Sequence, residues 1–223
     1  IEPENNEHFQ HFKTSLFKHS QQFPAEEIRD LFLLAINYCV KKGNTGNQAF
    51  IHEMLELYKA GLATDVFLDQ GELSHFTFHN IAAAGIKTKE YKWVATFIEE
   101  YRNRLARQHR ESSYSFNQAR LAYAQGQYQT ALPLLQKANY RDLLLNLAAK
   151  TLLLKIYYEL DEFDLLNAHL DAMKNFIRRK AVIGYHRSNY LNIIRFTRKL
   201  ANSNLYDRER RKSLREQIQA AEV

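Results

Sequence analysis

Cysteine, proline, glycine and tryptophan are all scarce in this sequence: its 223 residues include one Cys, three Pro, seven Gly and one Trp. A single thiol, Cys39, cannot close an internal disulfide, and its helical spacing within an apolar run marks it as a small buried hydrophobe. A reducing compartment, the cytoplasm, is the expectation. So few glycines and prolines cannot furnish the turns of an all-β protein; they suit long helices joined by short loops. Long apolar runs are missing too. The best candidate, Leu31 to Val40, is interrupted by Asn37 and flanked by charge, far short of the roughly 18 to 20 apolar residues that span a bilayer. Ile1 to Glu7 is acidic and has neither a basic n-region nor an apolar h-region, so no secretory signal is expected in this stretch. The absence of an initiator Met leaves upstream targeting open.

What is abundant points the same way. Hydrophobic residues make up 45% of the chain, with 13 Tyr and 14 Phe, the apolar wealth of a sequence that folds. The net charge of +6 is uneven. Residues 171 to 223 hold 13 Lys/Arg against 5 Asp/Glu, whereas residues 1 to 170 hold 18 against 20. Basicity therefore belongs to the C-terminal end.

Apolar residues recur at three and four spacings, as at Leu143, Leu147, Leu154 and Tyr158, and strand-like alternation is almost absent. The spacing predicts about eleven helices and no strands. Breaks are expected at Phe23-Pro24, Gly43 to Gly46, Gly61 to Asp65, Thr88, Glu111-Ser112, Gly126, Asn139 to Asp142, Asp161 and Asn202 to Asn204, all carrying turn or cap residues.

Three segments align on one template. In "ARLAYAQGQYQTALPLLQKA", Ala119 and Ala122 precede Gly126, Tyr128, Ala131, Leu135 and Ala138. An earlier copy, "NIAAAGIKTKEYKWVATFIEEY", aligns Ala82, Tyr91, Val94, Ile98 and Tyr101; a later one, "LLLKIYYELDEFDLLNAHLDAM", aligns Leu154, Tyr157, Phe163, Leu166, Leu170 and Met173. The second-helix aromatics Tyr91, Tyr128 and Phe163 are 37 and then 35 residues apart. Small residues in the first helix let the second approach, and the aromatic that opens the second fills the groove between them.

This pattern resembles the tetratricopeptide repeat, whose period is about 34 residues. Only the middle copy keeps the turn glycine; Lys89 and Asp161 stand in that slot elsewhere. The resemblance implies an all-α fold, a right-handed superhelix (α-solenoid) of antiparallel helix pairs forming one domain over 1–223. Within it, 1–70 would be divergent N-terminal helix pairs, 75–177 three repeats, and 180–223 capping helices with a polar outer face.

It also implies a concave wall built from the first helix of each pair. Those slots hold His79 and Ala83, then Phe116, Arg120 and Tyr123, then Thr151, Lys155 and Tyr158. A basic, aromatic wall of this kind suits an extended partner segment with acidic or aromatic side chains, or another copy of the chain. The expected role is a protein-interaction scaffold. The clamp with which family members grip a terminal carboxylate is incomplete, because Asn80 and Asn117 recur at one slot but Ala148 and Leu152 occupy two others. The alternative role is nucleic-acid binding through the basic C-terminal helices, with Arg178, Arg179, Lys180, Arg195, Arg198, Lys199, Arg208 and Arg211 as the phosphate-neutralising set, joined by Arg210 and Lys212. Against it, Asp207, Glu209 and Glu216 are interspersed on the last helix.

Motifs for catalysis or metal binding are weak. His75 and His79 share a helix face, a zinc-compatible spacing, but no Cys or carboxylate cluster accompanies them. Glu72-x-x-His75 occurs once where a di-iron bundle needs it twice. His52-Glu53-Met54-Leu55-Glu56 lacks the second His of a zincin helix. No nucleophile elbow, phosphate loop or dinucleotide fingerprint is present. The expectation is a non-enzymatic protein without cofactor or metal.

Overall fold

The computed structural model describes residues 6–137, 140, 142–179, 186–203 and 207–221. Among these residues the chain forms eleven α-helices. It divides into two compact units, Ile1–Gln127 and Tyr128–Val223.

The first unit holds α1 (Asn6–His19), α2 (Ala25–Asn44), α3 (Ala49–Ala63), α4 (His75–Lys87), α5 (Tyr91–Tyr101) and α6 (Arg107–Ala124), with 3₁₀ turns at Ser20–Gln22 and Arg102–Arg104. Each helix packs on the next, and α4 also packs on α6, so the first helix of one pair meets the first helix of the following pair. Phe9, Phe32, Phe78 and Phe97 are fully buried in one continuous core. Close approach of α4 and α5 depends on Gly85: a Cβ there would stand 2.4 Å from Val94 Cγ2.

The second unit holds α7 (Tyr128–Lys137), α8 (Leu143–Glu159), α9 (Phe163–Arg179), α10 (His186–Ala201) and α11 (Arg208–Gln219). Again each packs on its successor. Leu145, Leu147, Leu153, Leu154, Ile156 and Tyr157 are all buried and spread around α8, as suits a helix covered by α7 on one side and α9 on another. Asp142 caps α8, its carboxylate accepting from Leu145 N at 2.7 Å, and Asp207 caps α11 in the same way. No helix among the described residues is long and apolar enough to cross a membrane.

The three aligned copies share one turn geometry. Lys89, Gly126 and Asp161 have φ of 63°, 74° and 57°. In each copy the amide at this position donates back three residues (to Ile86, Tyr123 and Tyr158) and the next amide donates back five (to Gly85, Ala122 and Tyr157). This is the left-handed helix stop in which two backbone amides satisfy the last free carbonyls. Asp65, at the end of α3, repeats the arrangement with φ 55°.

Two expectations need correction. The break placed at Glu111-Ser112 lies inside α6; the Ser112 hydroxyl donates to the His109 carbonyl of its own helix at 3.2 Å, and the chain turns earlier, at Leu105, whose backbone is extended. The chain also contains a small hairpin. β1 (Leu68–Asp69) pairs antiparallel with β2 (Glu72–Leu73) around Gln70 and Gly71, both with positive φ, the dihedral signature of a tight two-residue hairpin turn.

Candidate functional site

In the first unit, α4 and α6 bring His79, Phe116, Asn117 and Arg120 into one cluster. Asn117 is fully buried. Its side-chain amide is 2.8 Å from His79 Nδ1 and donates to the Ser113 carbonyl at 3.0 Å. Arg120 Nη1 donates to the His79 carbonyl and to Asn117 Oδ1, each at 3.3 Å. Its guanidinium carbon lies 5.4 Å from the centre of the Phe116 ring, and that ring meets His79 edge-on at 5.5 Å.

Arg120 is thus a half-buried cation whose hydrogen bonds among the described residues go to neutral oxygens. Burial holds its pKa below the ordinary arginine value, and no ion pair among the described residues includes it. Phe116 is only 6% exposed, so its ring forms the base of the cluster more than a free surface. Tyr123, on the same helix, is half-buried. Ala83, also half-buried, lines a separate cavity of about 330 Å³ with Tyr58 and Asn80. Asn80 hydrogen bonds Tyr58, whose hydroxyl burial pushes up to about 12 against that bond.

The remaining wall residues lie in the second unit. The Thr151 hydroxyl donates to the Leu147 carbonyl at 2.8 Å, within its own helix. Lys155 is exposed, and Tyr158, half-buried, meets the Phe163 ring edge-on at 6.1 Å.

The basic residues separate into two groups. Arg178, Arg179, Arg208 and Arg211 are exposed, and Lys180 lies outside the described residues. Arg195, Arg198 and Lys199 line a cavity of about 530 Å³ together with Lys174, Arg210, Leu191, Ile194 and Asn202. Sequence reading missed the convergence of Lys174 with the others, since nothing in linear order links α9, α10 and α11 at this point.

The motif histidines pack against rings. His75 stacks on His109 at 3.9 Å and meets His79 edge-on at 6.3 Å. Glu72 is on β2, not on the helix of His75. Glu53 forms an ion pair with Lys13 at 2.6 Å and accepts from Gln10; burial alone would raise its carboxyl, but these hydrogen bonds outweigh burial and hold it low. The Cys39 thiol is buried and pushed up to about 12, chiefly by desolvation, which keeps it a thiol and a poor nucleophile. Among the described residues no group of three or more His, Cys, Asp and Glu could hold a metal ion. No family model, no curated protein and no solved structure matches the chain.

Proposed function

We propose that the chain is a non-catalytic, tetratricopeptide-like scaffold whose first unit binds an extended acidic peptide, with Arg120 as the central anchor and Phe116, Asn117 and His79 fixing its position. The observation that carries this reading is the Arg120 guanidinium, partly desolvated yet bonded, among the described residues, to neutral oxygens alone. A buried cation without a counter-ion is costly, and a partner carboxylate would offset that cost through a charge-assisted, geometrically matched contact. Tyr123, half-buried on the same helix, is a further residue of the interaction surface. The matching left-handed turns at Lys89, Gly126 and Asp161 support the tetratricopeptide likeness.

The test is fluorescence anisotropy with a panel of labelled peptides rich in Glu and Phe, each compared with its Gln counterpart, on the intact chain and on Arg120→Gln. Preference for the acidic member, and a loss of about tenfold or more in the variant, or about 1.4 kcal/mol, supports the reading. Equal binding of Glu and Gln peptides, or unchanged affinity in a variant with native circular dichroism, rejects it.

A further inference from the structure

The second unit holds a cavity whose lining is unlike anything else among the described residues. Five of its eight lining residues are cations: Lys174 from α9, Arg195, Arg198 and Lys199 from α10, and Arg210 from α11. The other three are Leu191, Ile194 and Asn202; Ile194 is buried and Leu191 half-buried. Three helices thus direct positive charge around an apolar floor.

Among the described residues little neutralises this charge. Asp171 takes one contact, accepting from Arg198 Nη2 at 2.7 Å, and is itself 63% exposed. Lys199 Nζ donates to a neutral acceptor, Gln217 Oε1, at 2.6 Å. The Arg195 guanidinium lies over the Phe196 ring at 4.4 Å. The Nε of Arg198 is buried with no hydrogen-bond acceptor among the described residues, a group that normally finds one. Like charges gathered at one cavity repel unless a multivalent anion compensates them, and Arg and Lys together match the oxygens of a phosphate. The volume of about 530 Å³ lies within the roughly 300 to 1,000 Å³ of small-molecule sites, and Leu191 and Ile194 offer apolar surface beside the charge.

We infer that this cavity binds a small organic phosphate: a phosphate or polyphosphate held by Arg195, Arg198, Lys199, Arg210 and Lys174, joined to an apolar body that rests on Leu191 and Ile194. A free nucleotide and a phospholipid headgroup share this chemistry. The inference concerns the second unit and stands apart from the peptide reading of Arg120.

Isothermal titration of the full chain with ATP and with inorganic pyrophosphate, plus co-sedimentation with phosphatidylcholine vesicles containing phosphatidylserine, tests it. ATP binding at least about tenfold tighter than pyrophosphate, one decade being about 1.4 kcal/mol, is expected. Arg195→Gln with Arg210→Gln should weaken ATP about tenfold or more, and Leu191→Asn should weaken ATP but leave pyrophosphate within about twofold. The exposed pair Arg178→Gln with Arg179→Gln, neither of which lines the cavity, should weaken either ligand clearly less than the Arg195/Arg210 variant does, since Arg178 stands one helical turn beyond Lys174 and acts only through charge screened by salt. Vesicle binding lost in the Arg195/Arg210 variant supports the same site with a lipid as the source of phosphate. Circular dichroism confirms that each variant is folded, and Leu191→Asn keeps the test informative if the double arginine variant is not. Failure of ATP, pyrophosphate and vesicles alike overturns the inference. So does equal weakening by the Arg178/Arg179 pair, which would mean diffuse charge, or binding of a single-stranded RNA oligonucleotide by a chain that ignores ATP.

Discussion

The side-chain amide of Asn117 faces the ring of His79, its nitrogen 2.8 Å from Nδ1. Asn117 Oδ1 accepts from Arg120 Nη1, and Nδ2 donates to the Ser113 carbonyl. A guanidinium can only donate and a carbonyl can only accept, so the orientation of the amide is fixed. The second Nδ2 hydrogen therefore points at His79 Nδ1, 2.8 Å away, and the imidazole proton belongs on Nε2. Long-range ¹⁵N correlation spectra should show His79 Nδ1 without a proton; a protonated Nδ1 would contradict the network. Asn117→Leu, which strips three hydrogen bonds from a fully buried site, should cost about 1 to 3 kcal/mol in urea unfolding.

The left-handed turns predict an order of effects. Lys at positive φ carries a Cβ penalty that Gly escapes, and Asp tolerates this conformation better than Lys. Lys89→Gly should therefore stabilise by about 0.5 to 1 kcal/mol and Asp161→Gly by less. Gly126→Ala should destabilise by about 1 kcal/mol, a purely backbone effect, because an added Cβ there meets nothing within 4 Å. Thermal melts of the three variants would reveal a different order if the turns were not equivalent.

Gly85→Ala is a different kind of glycine test. Its Cβ would meet Val94 Cγ2 at 2.4 Å, so the α4–α5 contact must give way, at about 1 to 3 kcal/mol. Val94→Ala in the same chain should restore part of the loss, since the clash needs both side chains. A double-mutant cycle measures the coupling; simple additivity of the two substitutions would argue against this contact.

His169 gives the second unit a pH dependence. Burial lowers its pKa below the ordinary histidine value, outweighing the effect of its bond to the Lys150 carbonyl. The folded chain therefore favours neutral imidazole more than the unfolded chain does. The associated stability is fully present above the unfolded pKa of about 6.5 and is lost as pH falls through the lower folded value. Urea midpoints should decline on acidification over this range, and less steeply in His169→Gln. An equal slope in the two proteins would assign the pH dependence elsewhere.

The helix pairs α4–α5 and α8–α9 were legible because packing writes itself at regular intervals: Ala82, Val94 and Ile98, then Leu154, Leu166 and Leu170, are buried where helices meet. The hairpin Leu68–Leu73 was not, since strands of two residues are too short to display alternation, and Gln70-Gly71 was its sole signal. Glu111-Ser112 resembled a helix boundary because serine favours caps, yet the Ser112 hydroxyl bonds within α6 instead. For the candidate sites, the sequence pointed to Arg120 by its repeat slot, but its desolvation depends on how α4 meets α6. The run Arg178-Arg179-Lys180 was the conspicuous basic feature in linear order, whereas the cavity draws on cations scattered over three helices.

The turn shared by Lys89, Gly126 and Asp161 bears on how such a chain can change over evolutionary time. Its hydrogen bonds run wholly between main-chain amides and carbonyls, so the side chain at the slot contributes little to the shape and is free to drift at a modest energetic cost. A residue-identity profile keyed to the glycine would recognise one copy of the three. The sign of φ marks all three, and Asp65 at the end of α3 as well, so the backbone stop persists where the glycine does not.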